Sequence, residues 1–200
     1  AIGGDGDVLM AEGFGFARDG VPATADTIYR AGSITKQMTA AAALHLLENG
    51  AVSARDGHVL SLESPVSDVL DHVEAWQDPG QLPITLRSLL TMTSNLPNFT
   101  RRPPQGLDPW GAVMATDLLT ELKKARPVGW PGSFEYSNTS YFLLAAVVEG
   151  MRLPGAQATQ SYREVVRQRI FRRAQMRTAH FIDEPAPDGS VVAQPTYRRK

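Results

Sequence analysis

The stretch SITKQMTAAAALHLLENG, residues 33–50, decides how this chain is read. Its residues are strong helix formers, and it stops at Asn49-Gly50, a favourable C-terminal pair. Ser33 stands at its mouth, and Lys36 follows three residues later. Positions i and i+3 share one helix face, so the hydroxyl and the amine can meet. The small residues Ala40 to Ala43 predict a central helix that other elements approach closely. A serine hydroxyl is a weak nucleophile near neutral pH and needs a base within hydrogen-bond reach. A lysine beside it offers positive charge and, once desolvated, a base. The start of a helix adds free backbone donors, and the Ser33 N–H can give one to a tetrahedral intermediate. A serine cap followed by a solvated lysine has the same spelling, so S-x-x-K alone decides nothing.

Working outward, VLMAEGFGFARDG (8–20) reads as one strand of a hairpin ending at Asp19-Gly20, with little chain upstream to pair with it. TIYR (27–30) reads as a short extended lead-in. Residues 51–84 hold Gly, Pro, Asp and Ser at short intervals and read as loops. TLRSLLTMTS (85–94) predicts a helix capped by Thr85. The proline-rich stretch 97–110 reads as an extended excursion, and TDLLTELKKA (116–125) as an amphipathic helix. TSYFLLAAVVEGM (139–151) predicts a buried helix and SYREVVRQRIF (161–171) an amphipathic one; residues 183–200 read as irregular.

Composition narrows the function classes. The chain has 200 residues, 42% of them hydrophobic, which suffices for a core and argues against disorder. A net charge of -1 leaves no electrostatic footprint for nucleic acid or an anionic membrane. The absence of cysteine excludes disulfides, thiolate metal sites and cysteine nucleophiles. No apolar run approaches the roughly 18 residues of a membrane span, and AIGGDGDVLM lacks the pattern of a signal peptide. His45, His58, His72 and His180 are isolated and form no H-E-x-x-H pair. No G-x-S-x-G elbow is present, so an α/β-hydrolase is excluded. GFG (13–15) opens no helix with the glycines a nucleotide loop needs.

TIYRAGSITKQMTAAAALHLLENG (27–50) resembles the opening of serine β-lactamases and penicillin-binding-protein-like hydrolases. It matches best the branch of class C β-lactamases, D-Ala-D-Ala carboxypeptidases and esterases. LRSLLTMTSNLP (86–97) is similar to that branch's helix and turn, which usually ends His-Thr-Ser-Gly-Leu. Here Met92 replaces the His and Asn95 the Gly. GWPGSFEYSNTSYFLLAAVVE (129–149) resembles the region of the Tyr-x-Asn motif, and SYREVVRQRIFRRAQM (161–176) the helix after it.

The resemblance implies an α/β (α+β) penicillin-recognising serine hydrolase fold: an antiparallel sheet flanked by helices, plus an all-helical lobe. It implies that Ser33 is the acylated nucleophile and Lys36 its partner. Tyr136 takes the serine proton and returns one to the leaving group. Asn138 fixes the lysine and a substrate amide or carbonyl. A phenol is too weakly acidic to act as a base at pH 7 unaided, and an adjacent ammonium favours the phenolate. Asn138 also suits a cap for the helix expected from 139. No metal or organic cofactor is implied. Implied substrates are a carboxylic ester, a β-lactam or a peptidoglycan-like D-amino-acid peptide, with esters first. Export of many relatives implies a periplasmic or extracellular location.

One feature of the family is missing. Ser140 to Lys200 contains no Lys-Thr-Gly or His-x-Gly, the motif of a strand that lines the site. Residues 1–200 are therefore expected to form one incomplete domain, without the C-terminal sheet strands. Residues 1–50 are assigned to the sheet-lobe strand and nucleophile helix, 51–160 to a mostly helical lobe, and 161–200 to a return helix and irregular tail. A partner chain or further C-terminal segment would complete the sheet. The alternative is a non-catalytic member that binds peptides in the same cleft, or an inactive fragment.

Overall fold

The computed structural model describes residues 2–4, 7–71, 83–101, 103, 118, 120, 128–130, 132–187 and 189–194. The chain divides into two units, Ala1–Ile34 with Gln175–Lys200, and Thr35–Ala174.

The first unit holds two antiparallel hairpins. β1 (Ile2–Gly4) pairs with β2 (Asp7–Met10), and β3 (Phe16–Arg18) pairs with β4 (Val21–Pro22). The single strand expected over 8–20 is thus two strands, and residues upstream do pair with the first. Glycine causes the break. Gly15 sits at φ 73, where other residues are strained. A Cβ on Gly13 would lie 2.3 Å from the carbonyl carbon of Ala23, so only glycine admits that close approach. Ile28, in the expected lead-in, bridges in parallel to Val192. The Ile28 N–H donates to the Val191 carbonyl at 2.8 Å, and the Ala193 N–H donates back to Ile28 at 2.9 Å. The tail that reads as irregular therefore contains one extended stretch. Its two prolines before Val191 hide that stretch from a pattern reading.

The second unit is mostly helical. α1 (Thr35–Glu48) buries Thr39, Ala42, Ala43 and Leu46, a spacing that defines one helical face. Ala42 and Ala43 are wholly buried, as their small size predicts. α2 (Leu86–Leu90) begins at Thr85, whose hydroxyl accepts from the Ser88 N–H while the Ser88 hydroxyl accepts from the Thr85 N–H. It stops earlier than its sequence implies. Met92 enters the left-handed region at φ 56, and the Thr93 N–H reaches back to the Ser88 carbonyl at 2.9 Å. This is a Schellman ending with methionine where glycine is usual.

α3 (Asn138–Glu149) is capped by Ser137, whose hydroxyl accepts from the Ser140 N–H. Asn138 is therefore the first helical residue and not the cap, a correction to the expectation above. α4 (Tyr162–Val166) opens with a capping box between Ser161 and Glu164 and continues as a π-helical turn over Arg167–Phe171. Two short strands, β5 (Val52–Ser53) and β6 (Met151–Arg152), pair antiparallel, so the region read as loops contributes one strand.

α1 packs on α3 and α4, and α2 packs on α3. Leu86, Leu89, Leu143, Leu144, Val147, Val148, Val165 and Val166 are almost fully buried between them. Each such side chain contributes about 1.5–3 kcal/mol by leaving water. Within the helix expected at 116–125, Leu118 and Thr120 are helical; the rest of that segment, and most of 102–110, lie outside the described residues.

Candidate active site

Lys36 lies three residues before Thr39 on the buried face of α1, so its side chain is directed towards α3. There its Nζ donates to Asn138 Oδ1 at 2.5 Å. The same ammonium lies 4.8 Å from the ring centre of Tyr136 and 5.9 Å from that of Tyr141. Each aromatic face attracts a cation, typically by about 0.5–2 kcal/mol. A carbonyl-type oxygen and two ring faces thus fix the lysine head on three sides.

Asn138 is itself held in one orientation. Its Nδ2 donates to Thr100 Oγ1 at 2.8 Å, and that hydroxyl donates to Asn98 Oδ1 at 2.8 Å. Asn98 Nδ2 then donates to the backbone carbonyl of Tyr136 at 3.2 Å. The chain of bonds Lys36–Asn138–Thr100–Asn98–Tyr136 returns to the residue whose ring faces the lysine. A hydroxyl that accepts from the amide nitrogen leaves the amide oxygen for the ammonium. Asn98 is buried, so its amide needs these partners.

Segment 94–99 is stapled to the first turn of α3. Thr139 Oγ1 donates to the Pro97 carbonyl at 2.7 Å and accepts from the Phe99 N–H at 3.0 Å. Ser94 and Ser140 share a hydroxyl hydrogen bond of 3.0 Å. Tyr141 donates to the Leu90 carbonyl at 3.0 Å. Burial, and then the neighbouring Tyr136, push its phenol above the usual value.

The second unit thus brings together three residues singled out by sequence: Lys36, Tyr136 and Asn138. Ser33 belongs to the other unit, where it is exposed within a 3-10 turn over Gly32–Ile34 that leads into α1. A cavity of about 290 Å³ lined by Leu46, Met151, Val165 and Arg169 lies ten residues along α1 from Lys36 and takes no part in this arrangement. Among the described residues no cluster of three or more His, Cys, Asp or Glu is arranged to hold a metal ion. No helix among them is long and apolar enough to cross a membrane.

The family model described as Beta-lactamase matches residues 1–200. The chain belongs to the beta-lactamase family. It is 26% identical over 179 residues to the putative penicillin-binding protein PbpX of Bacillus subtilis (strain 168), covering 88% of this chain and 39% of that one. The octameric penicillin-binding protein homologue from Pyrococcus abyssi superposes with a TM-score of 0.69 at 30% identity, over 94% of this chain and 41% of that one. A D-stereospecific amidohydrolase from Streptomyces sp. superposes with a TM-score of 0.62 at 26% identity, over 83% of this chain and 48% of its own. The chain therefore spans less than half the length of these relatives, and the penicillin-binding fold expected from the sequence is shown by them.

Sequence reasoning missed Asn98, Thr100 and Tyr141. The first two lie in NFT (98–100), at the start of the proline-rich stretch read as an excursion. No local pattern marks them, because their partners Tyr136 and Asn138 lie 38 residues away in each case.

Proposed function

We propose that this member of the beta-lactamase family is a serine hydrolase that works through an acyl ester on Ser33. The observation that carries the reading is the placement of Lys36 Nζ, 2.5 Å from Asn138 Oδ1 and over the Tyr136 ring at 4.8 Å. A lysine that served only solubility would project into water and would not be held by an amide and two aromatic faces.

In the proposed reaction Ser33 Oγ attacks the substrate carbonyl carbon and forms a new C–O bond. Its proton passes to the Tyr136–Lys36 pair. The tetrahedral intermediate collapses, and the pair returns a proton to the departing alcohol or amine. Water then attacks the Ser33 ester, releases the acid and restores the hydroxyl. Asn138 has two duties, orienting the lysine and offering its amide to the substrate. Side chains and water carry every step, and the scheme uses no metal or organic cofactor.

Carboxylic esters are put first as substrates, ahead of β-lactams and D-amino-acid peptides, because the branch that the sequence resembles includes many esterases and nothing in the sequence is specific for β-lactams. Likeness to the D-stereospecific amidohydrolase favours amide cleavage as the second reading. The deciding experiment offers the chain and its Ser33→Ala variant a nitrophenyl ester, a D-amino-acid amide and a fluorescent penicillin. Ester turnover lost on substitution supports the first reading; faster amide turnover moves the substrate class. Reversible penicillin binding that persists in Ser33→Ala, with no turnover, means a non-catalytic binding protein.

A further inference from the structure

We propose that Asn95 is a positioning residue that holds Tyr136 against Lys36 by clamping the backbone of Val128, Trp130 and Gly132. The inference rests on the reading of Tyr136 as part of the acylating machinery.

Asn95 stands at φ 57, in the left-handed region. Glycine would satisfy that backbone at least as well, and asparagine is among the few other residues that tolerate it. The conformation alone does not need the side chain, yet the side chain is fully used. Its Nδ2 donates to the Val128 carbonyl at 2.8 Å and to the Trp130 carbonyl at 2.6 Å. Its Oδ1 accepts from the Gly132 N–H at 2.9 Å. The backbone adds a fourth tie, from the Val128 N–H to the Asn95 carbonyl at 2.8 Å. One short amide therefore satisfies three main-chain groups of a turn more than thirty residues away in sequence.

That turn leads straight into Tyr136. The next tie along the segment runs from the Glu135 N–H to the Met92 carbonyl at 3.0 Å. The one after it runs from Asn98 Nδ2 to the Tyr136 carbonyl. Met92 thus grips Glu135, Asn95 grips Val128, Trp130 and Gly132, and Asn98 grips Tyr136. The backbone that carries the Tyr136 ring runs through this grip, and neither Glu135 nor Tyr136 lies in a helix or strand. Within the grip, only the Asn95 ties use a side chain that can be removed while the left-handed backbone stays favourable.

The test uses Asn95→Gly, which keeps the backbone conformation and deletes the side-chain bonds. Asn95→Asp serves as the second variant: it keeps an acceptor for Gly132 and loses both donors. Ser33 acylation is followed with a fluorescent fluorophosphonate, which forms an Oγ–P bond and expels fluoride. Exchange of the Gly132 and Glu135 amide hydrogens is measured in parallel. For Asn95→Gly the expected result is a folded chain with faster exchange at Gly132. Its limiting acylation rate should fall roughly tenfold to a hundredfold, the range for a slightly misplaced group. The apparent probe affinity should stay within about twofold, since ground-state binding is untouched. Asn95→Asp, which sets a carboxylate oxygen against the Val128 and Trp130 carbonyls, should lose at least as much as Asn95→Gly. A wild-type limiting rate in Asn95→Gly, a loss confined to probe affinity, or unchanged Gly132 exchange would each overturn the proposal. Absence of a Ser33-dependent adduct on the unsubstituted chain would instead overturn the functional reading, and the catalytic consequence of the clamp with it.

Discussion

Thr100→Val is the most informative single perturbation of the network behind Lys36. Valine keeps the shape of threonine and removes its hydroxyl. Two bonds disappear, the one accepted from Asn138 Nδ2 at 2.8 Å and the one donated to Asn98 Oδ1 at 2.8 Å. Asn98 Oδ1 retains the Thr100 N–H at 3.2 Å, so its loss is partial. Asn138 Nδ2 is left without that acceptor. Each neutral bond is worth about 1 kcal/mol net, and a stranded donor costs about 1–3 kcal/mol, so destabilisation of roughly 2–4 kcal/mol is expected. Asn138→Ala removes the charge-assisted bond from Lys36, worth about 1.5–3 kcal/mol, and the same Thr100 bond. The shared bond makes the two substitutions non-additive. A double-mutant cycle by urea unfolding should show coupling of about 1 kcal/mol. On the acylation rate, Thr100→Val should cost about tenfold alone, equivalent to about 1.4 kcal/mol, and under about twofold in the Asn138→Ala background. Coupling below about 0.3 kcal/mol in both readouts would refute the claim that Thr100 acts through Asn138.

Three further outcomes follow from other contacts. Lys36→Arg should fold but lose roughly 10²–10⁴ in Ser33 acylation, because a guanidinium is not deprotonated and its planar fork does not fit the space of an ammonium; rate retention within about fivefold would exclude Lys36 as a proton carrier. Tyr162 hydrogen-bonds Thr39 at 2.7 Å, and burial raises its phenol above the ordinary tyrosine value of 10.0. A raised folded value means the folded state binds more protons between the two values, so this stability is full below pH 10 and is lost as pH rises through the folded pKa. Tyr162→Phe should flatten that alkaline loss in urea titrations carried above pH 10, and an unchanged slope would contradict the assignment. Gly13→Ala should destabilise the β3–β4 region by more than the roughly 1–3 kcal/mol of ordinary overpacking, because its Cβ meets Ala23 backbone at 2.3 Å; wild-type exchange protection of the Ala23 amide would contradict it.

What the sequence disclosed depended on the range of the signal. The capping boxes at Thr85–Ser88 and Ser161–Glu164 are written within four residues, and both helix starts were legible. Of the alanine run, Ala42 and Ala43 reach the buried face of α1, while Ala41 is exposed, so the run marked a buried stripe and not a buried helix. Lys36, Tyr136 and Asn138 were legible because two short motifs carry them, and their convergence came from the family resemblance. Long-range pairing was not legible. β5 and β6 are two residues each and lie about a hundred residues apart, so no local pattern marks them. Met92 ends α2 through a left-handed conformation that propensity assigns to glycine. Asn98 and Thr100 join Tyr136 and Asn138 across 38 residues in each case, through bonds that only the folded path creates.

The central claim, that a single hydroxyl is acylated, is tested most directly by peptide mass mapping after fluorophosphonate treatment of the chain. The account predicts one adduct, carried by the peptide that contains Ser33 and absent in Ser33→Ala. An adduct on another residue, or equal labelling of the Ser33→Ala chain, would contradict it.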